Sequence, residues 1–349
     1  MSEDTWSEQD TNPDAIEAAL RALLRERHGA NEALAPARVL NLVVVVDRDW
    51  KGEIANRLER VGRYHASRTV LCAVQEGRET LDAVATVSYE EPRDGGIGVM
   101  REQVEIECGP EHLDTLQTIV DPVLATDMPT VAWSPHGHQE AVQALLPLVD
   151  VMLLDSDDMS EPAEAFARAH QLCEHVYIVD LAWLRTTPWR ERLAASFDLP
   201  SRLVALREMA ELEVRHQHTS TASGLLLTGW LASRLGWETE ALHGVSDGLD
   251  GAAHRAAGQV ELRLRTISQE APGLAGVTVR CGQGMSLSLQ RGRGGLDARE
   301  TVSGRSRDWK ILGASRGEGG ILGEGVRQAL LRDPTYAPAL DVAGELCPA

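Results

Sequence analysis

The run Trp133-Ser134-Pro135-His136-Gly137-His138 is the most unusual chemistry-bearing segment of the chain. Two histidines at i and i+2 could bind a metal ion or act as acid and base, because imidazole is a ligand when neutral and titrates near physiological pH. A metal site needs a third ligand and an acid–base pair needs an orienting carboxylate, and neither stands at a recognisable spacing. His136 and His138 are therefore read as a structural turn or an interface, with no metal and no catalytic residue assigned. Ser134 lacks the Gly-x-Ser-x-Gly elbow of a nucleophile. A second candidate is Gly62-Arg63-Tyr64-His65-Ala66-Ser67-Arg68-Thr69, where Arg63, His65, Ser67 and Arg68 crowd one helix–strand turn. They could clamp a phosphate or a partner's carboxylate. A capped helix end with solvated arginines stands open beside that reading.

Asp47, Asp155 and Asp180 each end a strand-like run. Carboxylates there could hold Mg²⁺ or a ribose, but Asp also caps helices and turns, and capping is the expectation. A dinucleotide fold needs glycines at its first strand–helix turn, so that the backbone can approach a pyrophosphate. This chain has Asp47-Arg48-Asp49-Trp50 there, and neither Gly-x-Gly-x-x-Gly nor a Walker A sequence anywhere. No cofactor is expected.

The elements that must position these groups follow from periodicity. Residues 14–27 carry Ile16, Leu20, Leu23 and Leu24 on one helical face, and 39–46 is a β-branched run suited to a strand buried on both faces. A helix over 52–62, a strand over 69–74 and alternating runs at 81–89 and 103–108 come next. Pro110 opens a helix to about 124, and strands at 130–133, 151–154 and 176–179 then alternate with helices at 139–146, 162–173 and from Thr187-Pro188 onward. Such alternation implies a mainly parallel sheet flanked by helices, closed by a helix over 221–235. Beyond 236, Val260, Leu262 and Leu264 alternate with Glu261, Arg263 and Arg265, and similar runs at 277–280 and 285–290 indicate a one-sided antiparallel sheet. A last helix spans 320–331. The expected fold class is α/β, with a disordered acidic N-terminus (1–13), an α/β domain (14–237) and a smaller α+β domain with a basic antiparallel sheet (238–349).

At 349 residues and 43% hydrophobic the chain can build two cores. Its formal net charge of −19 disfavours nucleic-acid and anionic-membrane partners. Residues 255–316, with eleven Lys or Arg against five Asp or Glu, form a basic stretch on an acidic protein. Five cysteines without a Cys-x-x-Cys spacing, and an N-terminus without signal-peptide character, point to a reducing, cytoplasmic setting.

Several segments together resemble the glucose-6-phosphate dehydrogenase assembly protein (OpcA) family. They are Ala37-Arg38-Val39-Leu40-Asn41-Leu42, Gly62-Arg63-Tyr64-His65, Glu105-Ile106-Glu107 with Gly109-Pro110-Glu111-His112-Leu113, Ile119-Val120-Asp121-Pro122, Pro129-Thr130-Val131 with Trp133-Ser134-Pro135-His136, and Asp180-Leu181-Ala182-Trp183-Leu184-Arg185 with Thr187-Pro188-Trp189-Arg190. The resemblance implies a non-catalytic regulator that binds glucose-6-phosphate dehydrogenase and supports its assembly or active state in the oxidative pentose phosphate pathway. It supplies no catalytic set. The expected partner surfaces are the Arg263, Arg265 and Arg280 face and the turn bearing Trp183, Trp189 and Arg190, since Trp and Arg are favoured at binding hot spots. The alternative is a sugar-phosphate sensor or enzyme using residues 63–68 with His136 and His138.

Overall fold

In the computed structural model, residues 2–30, 38–62, 66–90, 99–256, 258–313 and 318–348 are described, and they build two sheets of different character. The eight-stranded sheet comprises β1 (Ser2–Glu8), β2 (Leu40–Asp47), β3 (Ser67–Val74), β4 (Asp82–Glu90), β5 (Val99–Cys108), β6 (Thr130–Trp133), β7 (Val151–Leu154) and β8 (Tyr177–Asp180). Helices α1 (Pro13–Ala30), α2 (Lys51–Gly62), α3 (Leu116–Val120) and α4 (Gln139–Leu145) accompany it. The strand order is β1-β4-β5-β3-β2-β6-β7-β8. Strands β5, β3, β2, β6 and β7 run parallel, while β4 and β1 add an antiparallel margin. The β-branched run of β2 lies at the centre, with Leu40 and Leu42–Val46 buried, as a strand covered on both faces requires.

Two expectations fail in this region. The acidic N-terminus is strand, not disorder: Ser2–Glu8 pairs with β4, Trp6 lying opposite Ala85. Main-chain pairing at a sheet edge needs no apolar side chains, so composition does not reveal it. The helix expected over 110–124 is instead broken into the single turn Pro110–His112, the short helix α3 (Leu116–Val120) and the turn Asp121–Val123, where Pro122 ends the α-helical run.

The second sheet belongs to a compact unit of residues Asp155–Glu174, Asp180–Ile321 and Leu331–Ala349; the first unit is Met1–Leu154, His175–Val179 and Leu322–Leu330. The second unit holds α5 (Pro162–Cys173), α6 (Leu181–Ser196), α7 (Pro200–Arg207), β9 (Glu211–Gln217), α8 (Thr221–Leu235), β10 (Glu238–Thr239), β11 (His243–Val245), β12 (Gly248–Arg255), β13 (Gly258–Ile267), β14 (Leu274–Cys281), β15 (Met285–Gly292), β16 (Gly295–Val302) and β17 (Arg305–Leu312). Next comes α9 (Glu318–Gln328), which groups with the first unit from Leu322 onward, and then α10 (Tyr336–Leu346) in the second. The order is β10-β12-β13-β9-β14-β15-β16-β17, with β11 also on β12. Among the described strands of this sheet, only the β9–β13 pair is parallel.

The compact units therefore do not divide at 237/238. Strand β9 supplies the middle of the second sheet, and its alternation of buried Leu212, Val214 and His216 with half-buried Glu211, Glu213 and Arg215 fits it there. Helices α6 and α8 group with it. Helix α6 starts at Leu181, not at Thr187-Pro188, because the Asp180 carboxylate accepts from Ala182 N–H (2.9 Å) and caps it. Helix α10, absent from the periodicity reading, packs on α8. Among the described residues no helix is long and apolar enough to cross a membrane.

Candidate functional site

The parallel order gives the first unit a defined ligand position. From β2 the chain moves to β3 on one side, while β6 lies on the other, so the strand order reverses between β2 and β6. Open parallel sheets bind ligands beyond the carboxyl ends of their strands at such a point. Asp47 ends β2 and the loop carrying His136 and His138 follows β6, which brings the three together there. The Asp47 backbone N–H donates to His136 Nδ1 (3.0 Å), and the Asp47 carboxylate lies 3.0 Å from His138 Nε2 and 3.5 Å from His136 Nδ1. The two histidines turn inward because Gly137 (φ 93°) and His138 (φ 30°) both take left-handed backbone. Trp50 lies 5.8 Å from the His136 ring, tilted by 51°. Burial holds His136 below the usual histidine range, against the pull of Asp47. The carboxylate that the sequence reading lacks is thus Asp47, 89 residues upstream of His136. Ser134 Oγ donates to the Gly137 carbonyl (3.3 Å) and closes its own turn.

Of the expected Arg63–Arg68 clamp, Ser67 and Arg68 are among the described residues. Arg63 and His65 lie outside the described residues. Ser67 Oγ is 3.2 Å from Thr69 Oγ1. Arg68 is buried and committed, donating to Glu102 (2.7 Å) and to the Val123 carbonyl (2.9 Å), and Arg38 takes the other Glu102 oxygen. Arg68 thus directs these donors into the interior of its unit, where two arginines share one buried glutamate.

In the second unit the strand-end aspartates form a buried polar cluster. Arg185 donates to both oxygens of Asp155 (2.7 Å each) and lies 3.6 Å from Asp157. Asp157 accepts from Ser223 N–H (3.0 Å) and Oγ (2.6 Å). Asp180 accepts from Ser156 N–H and Oγ, from Ala182 N–H and from the Tyr336 hydroxyl. Burial and the Asp155 charge push Asp157 up to about 7 and Asp180 up to about 6. Asp155 and Asp180 do cap, as expected, but they also tie a loop to α6, and Asp180 reaches α10 as well.

The turn expected to be a partner surface is interior. Trp183 and Trp189 are 3% and 1% exposed. Trp183 Nε1 donates to Asp333 (3.0 Å), and the Arg190 guanidinium stacks 3.5 Å over the Trp183 ring while bonding Thr186 and Thr187. Burial lowers Arg190 to about 10. Both tryptophans face the core of their own unit, so residues read as hot spots are here packing residues.

The other expected surface does lie outside. One face of the nine-stranded sheet carries Arg263 and Arg265 on β13, Arg280 on β14, and Arg299 and Lys310 farther along. It is not a bare basic face. Arg263 bonds Glu211 (3.0 Å) and Glu261 (2.6 Å), Arg265 bonds Asp250 (2.5 Å), Arg280 bonds Glu211, Arg299 bonds Asp308 (2.7 Å), and Lys310 lies 3.5 Å from Asp297. The basic excess of residues 255–316 is met in part by acids of β9 and β12, outside that window. The alternation of Glu211 and Glu213 with Leu212 and Val214 is the signal that could have found those acids. A groove of about 580 Å³ lies over β15–β17, lined by Ser288, Gln290, Asp297, Arg299, Asp308 and Lys310 among others.

Comparison with known proteins adds the family level. Residues 58–171 match the profile described as glucose-6-phosphate dehydrogenase subunit N-terminal domain, and residues 176–340 match the corresponding C-terminal domain. A protein of Synechococcus elongatus, provisionally named OxPP cycle protein OpcA, is 33% identical over 141 residues, covering 39% of this chain and 32% of the relative. Its namesake in Synechocystis is 28% identical over 140 residues, covering 39% and 30%. The matched region thus spans about a third of these curated relatives. Among solved structures, the aldose-aldose oxidoreductase from Caulobacter crescentus aligns over 88% of this chain and 95% of its own, with a TM-score of 0.50 and 11% identity, a likeness of fold alone.

Proposed function

This chain belongs to the OpcA family of glucose-6-phosphate dehydrogenase assembly proteins, and from that premise we propose that it is a non-catalytic partner that binds glucose-6-phosphate dehydrogenase and favours its assembled, active form. The observation that supports this most is the polar face of the nine-stranded sheet, where Arg263, Arg265 and Arg280 stand in rows with Glu211, Glu261 and Asp250. A patterned set of both charge signs selects a partner of complementary pattern and fixes its register. Activation then requires only that the partner's active form be bound more tightly than its inactive form, which shifts the population by that difference in affinity. The setting is the oxidative pentose phosphate pathway, and the expected compartment is the cytoplasm.

The alternative, a sugar-phosphate sensor or enzyme, uses Arg63 and His65, which lie outside the described residues, together with Arg68, which here bonds Glu102. The deciding experiment titrates this protein into glucose-6-phosphate dehydrogenase of the same organism at several substrate concentrations, with co-elution on a sizing column. A saturable rise in rate or fall in KM with co-elution supports the proposal. A flat titration without co-elution rejects it.

A further inference from the structure

We propose that Asp47, His136 and His138 form a binding site for one divalent transition-metal ion of the zinc class, at the point where the strand order of the parallel sheet reverses.

The argument rests on geometry and ligand chemistry. Two imidazoles and one carboxylate suit Zn²⁺, Co²⁺ or Ni²⁺, whereas Mg²⁺ and Ca²⁺ prefer oxygen. Zinc bonds of about 2.0–2.2 Å at tetrahedral angles hold ligand atoms about 3.4 Å apart. The Asp47 carboxylate oxygens lie 3.0 Å from His138 Nε2 and 3.5 Å from His136 Nδ1, and the three ligand atoms fall within 4.8 Å of one another. His138 Nε2 is buried and, despite its short distance to Asp47, makes no aligned hydrogen bond. That atom is therefore aimed at the carboxylate without being satisfied by it, which a shared cation would remedy. His136 presents its Nδ1 lone pair to the same side, where it accepts the Asp47 N–H, and metal binding exchanges that one hydrogen bond for a coordination bond.

The backbone holds the three ligands in place. Asp47 is fixed by the end of a central strand, and His138 stands in left-handed backbone immediately before α4. Residues kept in that region are held by surrounding structure and cluster at functional sites. Three protein ligands leave a fourth position for water or an anionic oxygen, reached past Asp47, which is half exposed. The ion would pin the end of β2 to the loop after β6.

The test uses the full chain, stripped with chelator and titrated with ZnCl₂ by calorimetry and with CoCl₂ by visible absorption. One equivalent should bind, with the ligand-field bands of tetrahedral Co²⁺ discharged by zinc. His138→Gln and Asp47→Asn should each weaken binding at least about tenfold, the loss that even a supporting residue causes. His254→Gln, at an exposed histidine near Glu240 elsewhere in the chain, should leave it unchanged. Should the site variants not fold, X-ray absorption on the zinc-loaded wild type decides: nitrogen and oxygen ligands including imidazole support the site, and sulfur ligation overturns it. No binding, binding untouched by the site variants, or binding equally weakened by His254→Gln also overturns it. None of these readouts involves glucose-6-phosphate dehydrogenase, so the metal site and the partner proposal fail or stand separately.

Discussion

Arg185 holds Asp155 through two parallel hydrogen bonds of 2.7 Å in the interior of the second unit, with Asp157 3.6 Å from the same guanidinium. The planar fork of arginine matches a carboxylate in this way, and the pair is worth keeping only while both members are present. Replacing Arg185 by Met strands the carboxylates in the interior. The expected loss is about 3–5 kcal/mol of unfolding free energy, read as a lower denaturant midpoint. Pairing Arg185→Met with Asp155→Leu should recover much of it, because an apolar pair of similar size carries no buried charge. Equal losses in the single and double variants would contradict this account.

The same cluster makes stability depend on pH. Burial, reinforced by the Asp155 charge, raises Asp157 to about 7 and Asp180 to about 6, far above the ordinary 3.8. Between those values and the unfolded range near 4, the folded chain keeps protons that the unfolded chain has released. Unfolding free energy then falls as pH rises from about 4 to about 7, and levels above it. Denaturant titrations at pH 5, 6, 7 and 8 should show that decline in the wild type. Asp157→Asn, which is neutral throughout and still offers Ser223 an acceptor, should flatten its upper part. An unchanged slope in the variant would place the titrating group elsewhere.

How much of this is legible in the sequence varies with the kind of force involved. The parallel strands β2, β6 and β7 are readable because burial on both faces leaves an apolar run. The one-sided strands β13 to β15 are readable from strict alternation. Strand β1 is not, since it is held by main-chain bonds to β4 and its side chains carry no pattern. Strand β9 carries the pattern, but its place between β13 and β14 depends on pairings between segments far apart in the chain. The site shows the same division. His136 and His138 stand out locally, whereas Asp47 joins them only through the sheet order. Trp183 and Trp189 mislead because residue type alone does not distinguish a hot spot from a core.

The polar sheet face supplies a third prediction. Changing Arg263 and Arg265 together to Glu sets like charges against Glu211, Glu261 and Asp250. These pairs are only partly exposed, Glu211 at 12%, so thermal stability should fall as well, and association is compared at a temperature where the variant remains folded. A partner matched to the original pattern meets reversed charge, and its association should weaken by about tenfold or more, with an altered salt dependence. Activation of glucose-6-phosphate dehydrogenase at wild-type strength would remove this face from consideration.

Two glycines separate packing from propensity. Gly229 in α8 faces α10, and a Cβ there would stand 2.4 Å from the Ala339 carbonyl oxygen and 2.9 Å from the Ala343 nitrogen. Both neighbours are backbone and cannot swing away, so Gly229→Ala must separate the two helices. The expected cost is about 1–3 kcal/mol, the range for overpacking. Gly344 lies within α10, and a Cβ added there meets nothing within 4 Å, so Gly344→Ala adds helix propensity without a clash. It should raise stability by up to about 1 kcal/mol. Opposite signs for the same chemical change, measured by denaturant midpoints, would show that close approach and not helix propensity fixes Gly229. A neutral Gly229→Ala would mean that α8 and α10 are farther apart in solution.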